Sequence, residues 1–217
     1  EKELQHLQGD NRSISFEYAG VHFSLPIPGT FNAMNALAAI KMSDALSVPF
    51  TAAATALATL PPVQGRVERI EAGQNFTVIV DYAHTPDSLR ALYGAFPTQR
   101  KICVLGNTGG GRDTWKRPAM GRIADEACEK VILTNEDPYD EDPRAIVDAM
   151  AANMQRAPEI IMDRREAIRY ALQIARSDDT VLISGKGTDP FIMGSHGTKT
   201  SWSDALVVRE ELRRLLG

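Results

Sequence analysis

Cysteine is scarce in this chain. Its two thiols, Cys103 and Cys128, match no metal-binding spacing, and Cys103 falls within an apolar strand pattern where it reads as a buried small hydrophobe. Such usage fits a reducing compartment, and a cytoplasmic location is expected. Histidine is thin as well. His6, His22 and His196 are scattered over a terminus and two hairpin segments and read as surface or structural, so no histidine–carboxylate cluster points to zinc. Positive charge is not in excess: the net charge is −4 and the pI about 5.6, which removes the basic face that nucleic-acid binding needs. Basic residues do gather from Arg112 to Arg122, but acids are interleaved. No apolar run reaches the length of a membrane span, and the N-terminus lacks a signal-peptide pattern. No serine or cysteine sits in a nucleophile elbow, so covalent catalysis is not expected. A phosphate loop is missing too: Ser184-Gly185-Lys186-Gly187-Thr188 lacks the required order of glycine, four residues and Gly-Lys-Ser/Thr. An ATP-using enzyme would carry that loop elsewhere.

What is present is ordinary globular material. The chain has 217 residues, 43% hydrophobic and 24% charged, enough for a sizeable core. It starts Glu1-Lys2-Glu3-Leu4, neither an initiator methionine nor a natural domain start, and is expected to be cut from something longer. Ser13 to Phe16 and Val21 to Leu25 alternate around Ala19-Gly20 and predict a hairpin. Helical spacing follows from Asn32 to about Leu46, and a second alanine-rich helix follows Pro49. Pro61-Pro62-Val63-Gln64-Gly65 is the best linker, which divides the chain into residues 1–62 and 63–217.

Beyond it strands and helices alternate. Strands are predicted at Phe76–Val80, Lys101–Leu105, Val131–Thr134, Glu159–Met162 and Thr180–Ser184. Helix starts are marked by Thr85-Pro86, by Asp113 or Thr114 ahead of Pro118, by Asp142-Pro143, and by Asp163 with Glu166. A late hairpin pairs Phe191–Met193 with Lys199–Trp202, and Asp204 caps the last helix. The fold class is therefore α/β, with a Rossmann-like, mostly parallel sheet. In such a sheet the strand-to-helix loops share one edge, and polar residues collect in those loops here. Asp81-Tyr82-Ala83-His84 taken alone is a capped turn as readily as a ligand corner. Gly109-Gly110-Gly111 is either a flexible loop or a cradle of backbone N–H groups for an anion.

Several blocks in one order resemble the Mur ligases that add the third residue of the peptidoglycan stem peptide. Asp81-Tyr82-Ala83-His84-Thr85-Pro86-Asp87 is similar to their signature. Gly29 to Ala39 resembles the end of their central domain, and Gly65-Arg66-Val67-Glu68 their hinge element. Gly109-Gly110-Gly111-Arg112-Asp113 with Lys116-Arg117-Pro118 and Met120 resembles the glycine-rich loop. Asp137-Pro138 with Glu141-Asp142-Pro143 resembles the amino-acid recognition loop, and Gly185-Lys186-Gly187 the last loop. The resemblance implies the tail of a central ATPase domain followed by the amino-acid-binding C-terminal domain. By the same token ATP and Mg2+ would be held mainly by an upstream domain. The complete enzyme would activate the carboxylate of UDP-MurNAc-L-Ala-D-Glu as an acyl phosphate, which the amine of a diamino acid then attacks. A monomer without nucleic-acid partners or membrane insertion is expected, inactive as this chain alone and with no catalytic residue of its own.

Site residues carry over position by position. Asn35, Arg66, Asp81, Tyr82 and His84 are implied at the nucleotide, Arg66 at its phosphates and Asp81 at the ribose. Arg112 is implied at the α-carboxylate of the amino acid, and Glu136, Asp137, Pro138, Tyr139, Gly185 and Asp189 around the rest of it. Two departures bear on specificity. The family's Asp-Asn-Pro-Arg, whose arginine pairs with the distal carboxylate of meso-diaminopimelate, is Glu136-Asp137-Pro138-Tyr139 here. A tyrosine offers one neutral hydrogen bond where a charge-assisted one contributes about 1.5–3 kcal/mol. The usual Gly-Lys-Gly-His-Glu is Gly185-Lys186-Gly187-Thr188-Asp189, its acid one methylene shorter, and Asp140, Glu141 and Asp142 make the neighbouring loop acidic. Lysine is therefore expected over meso-diaminopimelate. The alternatives are a polyglutamate- or cyanophycin-type ligase, and a non-catalytic binding module.

Overall fold

The computed structural model describes residues 3–111 and 113–217, so Arg112 lies outside the described residues. The chain forms two compact units. One runs to Val63 and includes Gly94–Pro97; the other comprises Gln64–Tyr93 and Thr98–Gly217.

In the first unit β1 (Gln5–Gly9), β2 (Ile14–Tyr18) and β3 (Val21–Leu25) form an antiparallel sheet, followed by α1 (Phe31–Ala45) and α2 (Phe50–Ala58). Ala19 and Gly20 both take positive φ at the β2–β3 turn, the geometry that matches the twist of a tight hairpin. Register pairs Phe16 with Phe23, and their rings stack with centroids 5.5 Å apart. The alternation buries Ile14, Phe16, Phe23 and Leu25 against Ala33, Ala36 and Ile40 of α1 and Ala53 of α2. The predicted hairpin is thus two strands of three. β1 leaves no periodic signal because all five of its residues are exposed and carry no apolar alternation.

The second unit contains β4 (Glu68–Arg69), β5 (Thr77–Asp81), α3 (Pro86–Gly94), β6 (Lys101–Leu105) and α4 (Lys116–Ala127). It continues with β7 (Lys130–Leu133), α5 (Pro143–Ala151), β8 (Glu159–Ile160), α6 (Arg164–Gln173) and β9 (Thr180–Ser184), then β10 (Phe191–Met193), β11 (Lys199–Ser201) and α7 (Asp204–Leu216). Its main sheet runs β4-β5-β9-β6-β7-β8, with β4 antiparallel to β5 and the other neighbours parallel. This is the mostly parallel α/β sheet that the alternation predicts. The last long strand, β9, inserts between β5 and β6, and both β6 and β9 are buried along their whole length. That is why they read as continuous apolar runs. Val78, Val80, Ile102, Val104, Val181 and Ile183 pack on Ala167, Ile168, Ala171 and Leu172 of α6 and on Val208 and Leu212 of α7.

The local start signals worked well. Thr85 and Ser88 exchange side-chain-to-backbone bonds at the head of α3, Asp142 accepts from Arg144 N, and Asp163 from Glu166 N. Elsewhere the structure corrects the sequence. The last helix is capped by Ser203, whose hydroxyl accepts from Leu206 N, because Asp204 is drawn to Arg164 instead. β8 has two residues rather than four, and α4 begins at Lys116 after a turn through Asp113. Cys103 is not a lone hydrophobe: it forms a disulfide with Cys128 across Cα atoms 6.2 Å apart. Among the described residues no helix is long and apolar enough to cross a membrane.

Candidate active site

Every parallel strand of the main sheet delivers its following loop to the same edge, and two groups of side chains assemble there. The first lies around the end of β5. Asp81 is the last residue of the strand and is buried. Its Oδ2 accepts from Val67 N at 2.7 Å and its Oδ1 from Ala83 N at 2.7 Å. Burial raises its pKa, and the two backbone bonds work against that rise. Each oxygen therefore already has a backbone donor, so Asp81 pins the 65–69 segment and the following turn. The ribose role implied by the resemblance competes with these bonds.

Tyr82, half-buried, is the centre of this corner. The Arg66 guanidinium lies 4.6 Å from its ring centroid, and the His84 ring meets it edge-on at 4.7 Å. His84 Nδ1 is 2.8 Å from the Tyr82 carbonyl. A carbonyl only accepts, so Nδ1 is the donor in this contact. Arg66 does not pair with Glu68. That carboxylate accepts from Gly65 N at 2.8 Å and from Arg209 at 2.8 Å. Gly65 has φ +60, and a Cβ there would lie 2.5 Å from the carbonyl carbon of Gly187, so glycine lets the hinge element touch the last loop. Asn35 belongs to the first unit, on α1, where it is exposed and donates to Asn32 Oδ1.

The second group lies on the 136–142 loop, which resembles the family's recognition loop. Glu136 turns inward and is buried. Thr108 Oγ1 donates to its Oε1 at 2.9 Å, while Oε2 has no partner among the described residues. Gly185 makes room for it: a Cβ there would lie 2.1 Å from Oε2. Burial pushes the Glu136 carboxyl upward, with Arg164 and the Thr108 bond opposing. Asp137 takes two bonds from Lys186 Nζ, at 2.8 and 2.7 Å, and a third from Met193 N at 2.8 Å. Pro138 leads into Tyr139, which has φ +50 and donates its N–H to Met193 O. Asp189 reaches Lys186 Nζ with Oδ2 at 3.2 Å and is 43% exposed.

The glycine run is neither a loose loop nor an empty anion cradle. Gly109 N donates to Asp137 O at 2.7 Å, and Gly111 N to Glu141 Oε1 at 2.5 Å. Arg117 adds a 2.9 Å ion pair to the same carboxylate, and these donors hold Glu141 below the ordinary carboxylate range. The cradle exists and the chain's own Glu141 fills it. Sequence reasoning named Glu141, Arg117 and Lys186 only within family-like loops and gave none of them a role in holding the site together. The lysine was findable, because a lysine between two glycines at the end of a buried strand requires an acidic partner. Among the described residues no group of three or more His, Cys, Asp or Glu side chains could hold a metal ion.

Known proteins match this architecture and sequence. Residues 65–187 match the family described as Mur ligase, glutamate ligase domain. A UDP-N-acetylmuramoyl-L-alanyl-D-glutamate–2,6-diaminopimelate ligase of Caldanaerobacter subterraneus is 39% identical over 197 residues, covering 88% of this chain and 40% of its own length. The enzyme of that name from Gloeobacter violaceus is 42% identical over 199 residues, again covering 88% of this chain and 40% of its own. A solved structure of a ligase with that name superposes with a TM-score of 0.69 at 27% identity, over 99% of this chain and 45% of the other. A folylpolyglutamate synthase from Mycobacterium tuberculosis shares the fold at a TM-score of 0.63 and 20% identity, over 99% of this chain and 47% of that one. The chain spans about two fifths of the length of the curated relatives it matches. Sequence and fold agree: the chain belongs to the Mur ligase family.

Proposed function

We propose that this chain is the amino-acid-delivering part of an ATP-dependent ligase that adds a diamino acid to UDP-MurNAc-L-Ala-D-Glu. The reaction forms an acyl phosphate on the substrate carboxylate, and the amine then attacks it to give the amide and phosphate. ATP phosphates and Mg2+ are assigned to an upstream domain. Arg66, Tyr82, His84 and Asn35 are assigned to the nucleotide, with Asp81 fixing the turn that presents two of them. Arg112 is assigned to the α-carboxylate of the incoming amino acid.

The observation that carries this reading is the seat of the recognition loop, held between the glycine-rich loop and β10 at the sheet's ligand edge. Its composition favours lysine, or another diamino acid without a distal carboxylate. Tyr139 supplies no positive charge for a second carboxylate, and its ring lies against Gly110. Glu141 is engaged by Gly111 and Arg117, Asp142 caps α5, and Asp140 accepts from His196 N at 2.7 Å, so the acid assigned to an ammonium is Asp189, whose carboxylate is half-exposed. The relatives are named for 2,6-diaminopimelate, which makes the test sharp. Amino-acid-dependent phosphate release by the full-length enzyme should be higher with lysine than with meso-diaminopimelate. The opposite preference overturns the substrate assignment.

A further inference from the structure

Lys186 is fully buried, and its ammonium is offset by two carboxylates. One of these, Asp137, is held on several sides. Its Oδ1 also accepts from Met193 N, its carbonyl accepts from Gly109 N, and two residues on Tyr139 N donates back to Met193 O. The Asp137 carboxylate is therefore used up by the chain itself. Asp189 is different: Oδ2 touches Lys186, while Oδ1 has no protein partner among the described residues and the side chain is half-exposed. Of the two carboxylates on Lys186, Asp189 is the one that keeps an oxygen for a ligand.

We propose that Lys186 and Asp137 form a positioning pair for the amino-acid site, fixing the recognition loop, β10 and Asp189 in one arrangement. Asp189 then meets the side-chain ammonium of the substrate, and Asp137 does not. The assignment of an ammonium rests on the diamino-acid reading above; the pair itself rests on the geometry. Filling Asp137 with an internal ammonium also orients Asp189, because the same Nζ bridges both acids.

Removing one partner would leave a buried uncompensated charge and risk unfolding, so both are changed together. The D137A/K186M variant deletes the pair and the acceptor for Met193 N. The D137N/K186Q variant keeps a neutral hydrogen-bonded link. Hydrogen exchange of assigned amides in this chain should show Met193 losing protection by about tenfold or more in D137A/K186M and keeping it in D137N/K186Q. In the full-length ligase D137A/K186M should raise KM for lysine by about tenfold, with kcat and the KM for ATP within about threefold of the parent. Unchanged Met193 exchange, or a raised exchange rate with an unchanged lysine KM, overturns the positioning pair. A parent ligase that turns over neither lysine nor meso-diaminopimelate overturns the diamino-acid reading and the ammonium assignment with it, whatever the exchange shows.

Discussion

Reducing the Cys103–Cys128 disulfide should cost this chain several kilocalories of stability. The bond ties β6, at the centre of the sheet, to the residue that ends α4, across a sequence separation of 25. The closed loop contains the whole glycine-rich segment and the whole of α4. Both cysteines are buried, and a thiol is a small hydrophobe that leaves no strong polar group unsatisfied there. The main effect of reduction then falls on the unfolded chain, which regains the freedom of a loop of that length. Loop-closure entropy puts this at about 3.5 kcal/mol near room temperature. At roughly 2–4 °C per kcal/mol for a chain of this size, the melting temperature should fall by roughly 7–14 °C. Burial protects the bond, so reduction is done in denaturant, followed by refolding with and without reductant and thermal unfolding by circular dichroism. Alkylation under denaturing conditions, read by mass spectrometry, counts free thiols in each sample. Equal melting temperatures for samples with two and with no free thiols refute the entropic argument. Two free thiols after refolding in air refute the bond.

Two further outcomes follow from buried charge. Glu136 is raised above its ordinary value by burial, so the folded chain holds its proton more tightly than the unfolded one. Its contribution to stability is complete below the ordinary pKa of 4.5 and is lost as pH rises through the raised value. Glu136→Gln should therefore gain melting temperature relative to the parent as pH increases above that point; parallel curves would show that the carboxyl is not desolvated. Arg164 pairs with Asp204 at 2.8 and 2.7 Å, both side chains out of solvent, and donates to the carbonyls of Asn135 and Ser184. Arg164→Met leaves the buried Asp204 uncompensated and should cost about 3–5 kcal/mol in urea unfolding, whereas a loss below about 1 kcal/mol would contradict the pairing.

Much of this protein was legible residue by residue. The alternation of strands and helices, the caps at Thr85, Asp142 and Asp163, and the gathering of polar loops at one sheet edge depend on signals a few residues long. They survive folding because each is satisfied within its own turn or strand. The edge itself followed from handed β-α-β connections, and with it the approximate place of the site. What stayed hidden depends on strand order. β9 lies between β5 and β6, which carries Lys186 to Asp137 over a separation of 49 residues and sets Gly185 against Glu136. The same assembly hands the glycine cradle to Glu141, gives Asp204 to Arg164 and leaves the cap to Ser203, and closes Cys103 on Cys128. Sequence alone determined which chemistry is present and at which edge it collects, since those are properties of single elements. Only the tertiary structure decided which acids are spent on the chain and which remain for a ligand. That division is set by neighbours distant in sequence, and by the need of each buried charge for a partner.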